Sequence, residues 1–102
     1  MPDFVKVANS NELRLGEGKI VEVHNQEVAL FNVNGEFFAI GNQCPHRGGS
    51  LGEGMLEGEC VTCPLHGWQF NVKTGQNERM PGPNVACYKV KVENNDVLVS
   101  LE

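Results

Sequence analysis

The sequence predicts an all-β domain in which short antiparallel strands form a sandwich or barrel. Three observations support this prediction. Turn-forming residues are frequent, with 12 glycines and 5 prolines in 102 residues. Valine, which favours strands, is far commoner than alanine, and no segment keeps the apolar periodicity of a long helix. The length suits one domain spanning residues 1–102 and leaves no room for a second.

Short runs of alternating apolar and polar residues mark the strands. They are Phe4–Ala8, Lys19–Val23, Val28–Val33, Glu36–Ile40, Cys60–Thr62, Trp68–Val72, Tyr88–Glu93 and Val97–Leu101. Ser10 is expected to cap a single helical turn through Glu12 and Leu13. Residues 24–27 are expected to form a turn. Asn34-Gly35 is typical of a type I′ hairpin, because both central residues of that turn need positive φ.

The strand pattern breaks at Gly41–Gly58, where six glycines and Pro45 indicate a long loop. A loop of this length in a small domain is usually functional. A second irregular loop covers Cys63–Gly67. Met80–Pro83 cannot form a central strand, because proline donates no hydrogen bond to the ladder. We therefore expect the functional region at about residues 41–83.

Charge and hydropathy exclude several classes of partner. The net charge of −5, from 13 acidic and 8 basic residues, argues against nucleic acid, which requires a basic surface. No apolar run approaches the ~20 residues of a membrane span. The start of the chain lacks the pattern of a secretory signal. We therefore expect a cytoplasmic protein, in which four cysteines more often serve metal binding or catalysis than disulfides.

The two irregular loops each carry one cysteine followed by one histidine. The first reads Cys44-Pro45-His46 and the second Cys63-Pro64-Leu65-His66, with sixteen residues between the two motifs. A tetrahedral zinc ion is one candidate for two thiols and two imidazoles. Zinc fingers, however, usually group their cysteines in one knuckle and their histidines in another. Mixed pairs suit a [2Fe–2S] cluster in which one iron takes both thiolates and the other both imidazoles.

The C-x-H motif followed by C-x-x-H resembles the Rieske family. The resemblance extends over nearly the whole chain, through the Asn34-Gly35 hairpin, the Thr74-Gly75 turn and the segment Pro81-Gly82-Pro83. It implies a Rieske-type antiparallel β-sandwich with a cluster-binding subdomain formed by the two loops. It also implies one [2Fe–2S] cluster, with residues 81–83 in the place of the third loop that covers it.

The resemblance also implies the ligand set. Cys44 and Cys63 would bind one iron through sulfur, and His46 and His66 would bind the other through an imidazole nitrogen. Because neutral imidazoles replace two thiolates, the oxidised site carries no net charge and is easier to reduce than a four-thiolate site. Potentials in the family accordingly reach roughly −150 to +300 mV.

The position within that range depends on residues around the cluster. High-potential Rieske proteins carry an extra cysteine in each loop, and a serine and a tyrosine that donate to cluster sulfurs. Gly49 and Leu65 stand in the places of those cysteines, and Trp68 and Phe70 in the places of the two hydroxyl residues. We therefore expect a low-potential member.

The resemblance implies an electron carrier without catalytic residues of its own. A mononuclear iron site with two histidines cannot be assembled, because only His24 remains after the cluster takes its pair. The expected function is that of a Rieske-type ferredoxin between a flavin-dependent NAD(P)H reductase and a terminal Rieske oxygenase. One alternative is the small subunit of an assimilatory NAD(P)H nitrite reductase, which would bind the large subunit. The other is a zinc-stabilised structural domain.

The remaining cysteines are not expected to take part in this chemistry. Cys60 and Cys87 have no histidine nearby in the sequence. We therefore expect both to be buried, small and inert side chains.

Overall fold

Nine antiparallel strands and two 3₁₀ turns make up the described part of the chain. The computed structural model describes residues 4–43, 50–64, 67–78 and 84–101. The strands are β1 Val5–Asn9, β2 Gly18–Val23, β3 Gln26–Val33, β4 Glu36–Gly41, β5 Met55–Glu57, β6 Cys60–Thr62, β7 Gln69–Asn71, β8 Cys87–Glu93 and β9 Asp96–Ser100. The 3₁₀ turns cover Ser10–Glu12 and Leu51–Glu53. The prediction of an all-β antiparallel fold is confirmed.

The strands form one large and one small sheet. The large sheet has the order β1-β9-β8-β4-β3-β2, and the small sheet has the order β5-β6-β7. Strands β4 and β8 are neighbours, with Ile40 opposite Cys87. The chain therefore leaves the large sheet after β4, builds the small sheet and returns at β8. This insertion coincides with the segment that the sequence marks as functional.

Asparagine-containing turns join the hairpins of the large sheet. Asn34 and Gly35 both have positive φ, 53° and 95°, which confirms the predicted hairpin. The Gly35 amide donates to the Asn32 side chain at 2.9 Å. His24 and Asn25 also have positive φ. That turn is shorter than the predicted residues 24–27, because β3 already begins at Gln26.

Strand β3 is buried on both faces from its third residue onward and separates two hydrophobic clusters. The inner cluster lies within the large sheet and contains Ala8, Leu13, Val21, Val23, Val28, Leu30, Ala39, Val97 and Val99. The bridging cluster joins the large sheet to the small one and contains Ala29, Phe31, Val33, Ile40, Leu51, Val61, Cys63, Phe70 and Val72. Alternate β3 side chains enter different clusters, because successive residues of a strand point to opposite faces.

The interpretation of Gly41–Gly58 as one irregular loop is wrong, since this segment contains a 3₁₀ turn and β5. Gly54 allows β5 to approach β6, because a Cβ at this position would collide with the carbonyl oxygen of Thr62. The three residues of β5 are too few for a periodic signal. Nor is Ser10 the cap of the first 3₁₀ turn: Asn9 precedes that turn, and its side chain accepts from the Asn11 amide at 3.0 Å. No helix in the described ranges has the length and apolarity to cross a membrane.

Candidate metal centre

Cys63 is the one predicted ligand that lies within the described residues. It directly follows β6, its exposed fraction is 2%, and its thiol is not in a disulfide. Cys44, His46 and His66 lie outside the described residues. Within the described ranges, no group of three or more histidine, cysteine, aspartate or glutamate side chains is placed to hold a metal ion. The described part of the site therefore consists of Cys63 and the segments that flank the other three predicted ligands.

Two backbone hydrogen bonds join the ends of the second loop. The Cys63 amide donates to the Trp68 carbonyl at 2.7 Å, and the Gly67 amide donates to the Cys63 carbonyl at 3.1 Å. Gly67 has a φ of 73°, a conformation that residues with a side chain rarely adopt. The loop between β6 and β7 is thus fixed at both ends beside the Cys63 thiol.

The ends of the first loop are also paired. Gln43 and Ser50 form an antiparallel bridge, and the Leu51 amide donates to the Asn42 carbonyl at 2.8 Å. These contacts hold the two described flanks of residues 44–49 against each other. The first predicted motif therefore lies between two flanks that are hydrogen-bonded to each other.

The Asn42 side chain reinforces this base. Its exposed fraction is 1%, and its Oδ1 accepts from the Gly52 amide at 2.8 Å. Its Nδ2 donates to Glu27 Oε1 at 3.3 Å and to Ser50 Oγ at 3.4 Å. One buried amide thus connects β3, the end of the first loop and the second 3₁₀ turn. The sequence alone does not reveal this role, because an asparagine after a strand has no local signal for contacts with residues 8 to 15 positions away.

The small sheet pairs the strand that follows the first loop with the strand that precedes the second loop. The second 3₁₀ turn leads from the first loop into β5, and Met55 at the start of β5 lies opposite Thr62 at the end of β6. The next residue along the chain is Cys63. The strand that follows the first loop therefore lies beside the start of the second loop.

A cavity of about 480 Å³ opens beside the second loop. Its described lining is Glu53, Gly54, Met55, Glu57, Thr62, Cys63, Pro64 and Gly67. Iron–sulfur clusters are held by cysteine thiolates. A buried thiol that is not in a disulfide and borders a cavity at the start of the second loop fits such a cofactor. Of the described residues, Cys63 would supply one of its ligands.

Aromatic side chains pack behind the second loop. Phe70 is fully buried in the bridging cluster, and half-buried Trp68 packs against that cluster. The two ring centroids are 6.4 Å apart, and the planes are tilted by 41°. Neither side chain has a hydroxyl group to donate to a cluster sulfur.

The expectation that the other two cysteines are buried is wrong for Cys87. This residue is exposed on β8, and its thiol donates to the Lys73 carbonyl at 3.0 Å. In β8 the half-buried residues Tyr88 and Val90 pack on the inner cluster, so Cys87 points to the opposite face. The alternation of this strand was the signal that could have predicted its exposure. Cys60 on β6 is half-buried.

Partial loss of solvent around each sulfur raises the pKa of both thiols above the ordinary value of 9.0. At Cys60, the carboxylates of Glu78 and Glu59 raise the pKa further, because they disfavour a nearby negative charge. Both groups are therefore held as neutral thiols, unlike a metal-binding cysteine, which must be a thiolate.

The proposed covering segment Pro81–Pro83 lies outside the described residues. Its described flanks are tied to the small sheet and to each other. The Glu78 amide donates to the Gln69 carbonyl at 2.8 Å, and the Asn77 amide donates to Asn84 Oδ1 at 2.9 Å. The described chain therefore stops at Glu78, beside β7, and resumes at Asn84, beside Asn77.

Comparison with known proteins assigns the family. The family model of the Rieske [2Fe-2S] domain matches residues 3–89. The chain belongs to the Rieske family. A relative from Pseudomonas sp. (strain KKS102), named biphenyl dioxygenase ferredoxin subunit, is 42% identical over 98 residues, which is 94% of this chain and 90% of the relative. The cofactor of this Rieske domain is a [2Fe–2S] cluster.

Solved structures share the fold of this Rieske domain. The ferredoxin of carbazole 1,9a-dioxygenase from Nocardioides aromaticivorans IC177 is 30% identical, with a TM-score of 0.92 over 97% of this chain and 98% of that one. A complex of reduced oxygenase and oxidised ferredoxin in carbazole 1,9a-dioxygenase contains a chain that is 32% identical, with a TM-score of 0.90 over 97% and 94%. A putative nitrite reductase NADPH small subunit is 25% identical, with a TM-score of 0.84 over 95% and 97%.

Proposed function

We propose that this Rieske domain is a one-electron carrier of a multicomponent oxygenase system. It takes electrons from a flavin-dependent NAD(P)H reductase and delivers them to a terminal oxygenase. The observation that carries the proposal is the match, over nearly the full length of both chains, to a relative named as a dioxygenase ferredoxin subunit. A shared domain alone would not distinguish a carrier from a domain of a larger enzyme, whereas 42% identity to a dioxygenase ferredoxin subunit supports a carrier.

We assign the cluster ligands to Cys44, His46, Cys63 and His66. The cluster supplies a site that takes up and releases one electron at a time. Cys63 offers a thiol buried behind a closed loop, which limits access of water to the sulfur. The backbone hydrogen bonds of Cys63 with Trp68 and Gly67 hold this ligand in place, so little reorganisation of it is needed during electron transfer.

The proposal assigns no catalytic residue to this chain. The four ligands use two of its three histidines, and His24 lies at the turn between β2 and β3. A mononuclear iron site with two histidines and a carboxylate therefore cannot form within it. We take residues 1–102 as one domain with a cluster-binding region at about residues 41–83.

Electron paramagnetic resonance of the dithionite-reduced protein tests the proposal. The expected result is the low average g value of a cluster with two nitrogen ligands on one iron. A second assay measures reduction of the protein by NADH through a flavoprotein reductase and its reoxidation by a terminal Rieske oxygenase. A colourless protein that binds zinc, or a cluster with the spectrum of four-thiolate ligation, would refute the assignment.

The small subunit of a nitrite reductase is the second candidate function. The solved small subunit that is 25% identical over nearly the whole chain favours it. The two candidates differ in their partner. A stable complex with a nitrite reductase large subunit during purification, and nitrite reduction by that complex, would favour the subunit. Rapid exchange of electrons with an oxygenase without a stable complex would favour the carrier.

A further inference from the structure

Met55 is an exposed apolar side chain on the strand that joins the two loops. Its exposed fraction is 70%, the largest of the three exposed large hydrophobic side chains in the described ranges. The next residue, Leu56, packs against the bridging cluster. Since side chains alternate along a strand, Met55 lies on the outer face of the small sheet.

The cavity beside Cys63 extends onto this outer face. Met55 lines it together with its cross-strand partner Thr62 and the exposed Pro64. The buried Cys63 belongs to the same wall. A molecule that covers Met55 at the rim of this cavity therefore lies next to the loop of a proposed cluster ligand.

Two carboxylates border the same cavity. Glu53 and Glu57 are both exposed, and no lysine or arginine in the described part of the chain lies within ion-pair distance of either. In contrast, Glu12 and Glu59 are each paired with a lysine, Lys19 and Lys73. The cavity therefore combines an apolar side chain with negative charge that has no partner within these residues.

We propose that this face, formed by Glu53, Met55, Glu57, Thr62 and Pro64, is the docking surface for the redox partner. The proposal rests on the proposed carrier function and specifies the surface that it uses. The occupant is a protein that presents an apolar patch bordered by lysine and arginine side chains. Opposite charges accelerate the encounter of two proteins. A second copy of this chain is disfavoured, because each copy carries a net charge of −5.

Methionine suits a carrier that must bind two different partners in turn. Its flexible, polarisable side chain adapts to surfaces of different shape. A small face with one apolar anchor also gives a short-lived complex, as transient redox encounters require. Electron transfer itself becomes faster as the donor and the acceptor approach, and docking on this face brings the partner to the Cys63 loop.

The test measures the oxidation of the reduced holoprotein by two probes in a stopped-flow instrument. Cytochrome c is a cationic protein with lysines around its exposed haem edge, and ferricyanide is a small anion. Each probe takes one electron from one molecule of the reduced protein, so that ferric iron in the probe becomes ferrous. For the variant Glu53→Gln/Glu57→Gln, the rate with cytochrome c at low salt should fall by about threefold to tenfold. The rate with ferricyanide should stay unchanged or rise.

Matched variants separate a local effect from a change in net charge. Glu22→Gln/Glu36→Gln removes the same charge from exposed positions on the large sheet and should change the rate with cytochrome c little. Met55→Ser should slow this reaction without changing its salt dependence. The control Leu15→Ser, at a residue that is 69% exposed, should not slow it. The absorption spectrum and midpoint potential of every variant should match those of the unmodified protein.

Two results would overturn the docking surface. One is an equal loss of rate in the two double variants, and the other is unchanged kinetics in both Met55→Ser and Glu53→Gln/Glu57→Gln. Either result leaves the carrier function standing, because the unmodified protein still reduces both probes. A reduced protein that transfers no electron to ferricyanide would instead refute the carrier function, and the docking proposal with it.

Discussion

Cys63 differs from the other described cysteines in its structural surroundings as well as in its sequence neighbours. It is fully within the bridging cluster, borders a cavity and follows directly on a strand. Cys60 lies three residues earlier on the same strand and is half-buried. These two residues therefore form a natural pair of test and control positions.

The first prediction concerns loss of the cofactor. Cys63→Ser should abolish the visible absorption and bound iron of the anaerobically reconstituted protein, because a hydroxyl is a poor replacement for a thiolate on iron. Cys60→Ser should retain both. Iron content and absorption measured side by side check this prediction, and an intact cluster in Cys63→Ser would contradict the ligand assignment.

The second prediction concerns the pH dependence of the other thiols. Partial loss of solvent around the sulfur raises the pKa of Cys87 above 9.0, so fewer thiolates form in the folded than in the unfolded chain near that pH. Alkylation of native Cys87 by iodoacetamide at pH 8 should therefore be slower than in the unfolded chain, and it should accelerate as the pH rises beyond 9. Mass spectrometry of the modified peptide measures both rates.

The same shift has a consequence for stability. Because the pKa of Cys87 is higher in the folded state, the neutral thiol is favoured there. The contribution of Cys87 to the free energy of unfolding is therefore complete below pH 9 and decreases as the pH rises through the folded pKa. Cys87→Ser should remove this decrease. Equal alkylation rates in native and unfolded protein would show that the contact with the Lys73 carbonyl does not protect the thiol.

At the scale of elements, hydrogen bonds close the described ends of the two loops. The first loop is closed by Asn42, at the end of β4, and the second by the hydrogen bonds of Cys63 with Trp68 and Gly67. The glycine before β5 lets two strands approach closely enough to bring these loops together. The described flanks of both loops are therefore held by hydrogen bonds.

The third prediction tests this frame. Asn42→Ala leaves the buried Gly52 amide without its acceptor and should lower the free energy of unfolding by about 1–3 kcal/mol. Gln43→Ala, at the exposed neighbour, should change it little. Guanidinium denaturation of both variants provides the measurement. Equal stabilities would show that the Asn42 side chain does not hold the loop.

At the scale of the whole molecule, the two hydrophobic clusters divide the protein into a scaffold and a site. The inner cluster contains no residue of the small sheet, whereas the bridging cluster includes Val61, Cys63, Phe70 and Val72 from that region. The scaffold should therefore be stable without the cofactor. The small sheet has only three strands and depends on the bridging cluster.

The fourth prediction follows from this division. Removal of iron by a chelator should increase amide hydrogen exchange at Cys63 and Gly67 by roughly tenfold or more, which corresponds to about 1.4 kcal/mol of local stability. Exchange in β3 and β9, at Leu30 and Val99, should change much less. A uniform increase throughout the chain would mean that the two regions unfold as one unit.

The fifth prediction concerns the midpoint potential. The described aromatic residues Trp68 and Phe70 offer no hydroxyl donors behind the second loop. We expect a potential near the negative end of the roughly −150 to +300 mV range of Rieske centres. His66→Cys should lower it further, because a thiolate adds negative charge. Protein-film voltammetry gives both values, and a potential well above about +150 mV would contradict the argument from missing donors.

The sequence by itself determined the features that depend on neighbouring residues. Asn34-Gly35 specifies its hairpin because the required positive φ is a property of those two residues. The order of cysteine and histidine in the two loops is equally local, and it led to the family that the comparison confirms. Strand alternation predicted most of the large sheet for the same reason.

Only the tertiary structure decided the features that depend on contacts between distant segments. Strand β5 exists because Gly54 permits its approach to β6, and Asn42 closes a loop through partners on three separate segments. The exposed Met55 beside the Cys63 cavity follows from the same pairing. Three residues in a strand, or one asparagine after it, have no local preference strong enough to reveal these roles, so the packing of the whole chain decides them.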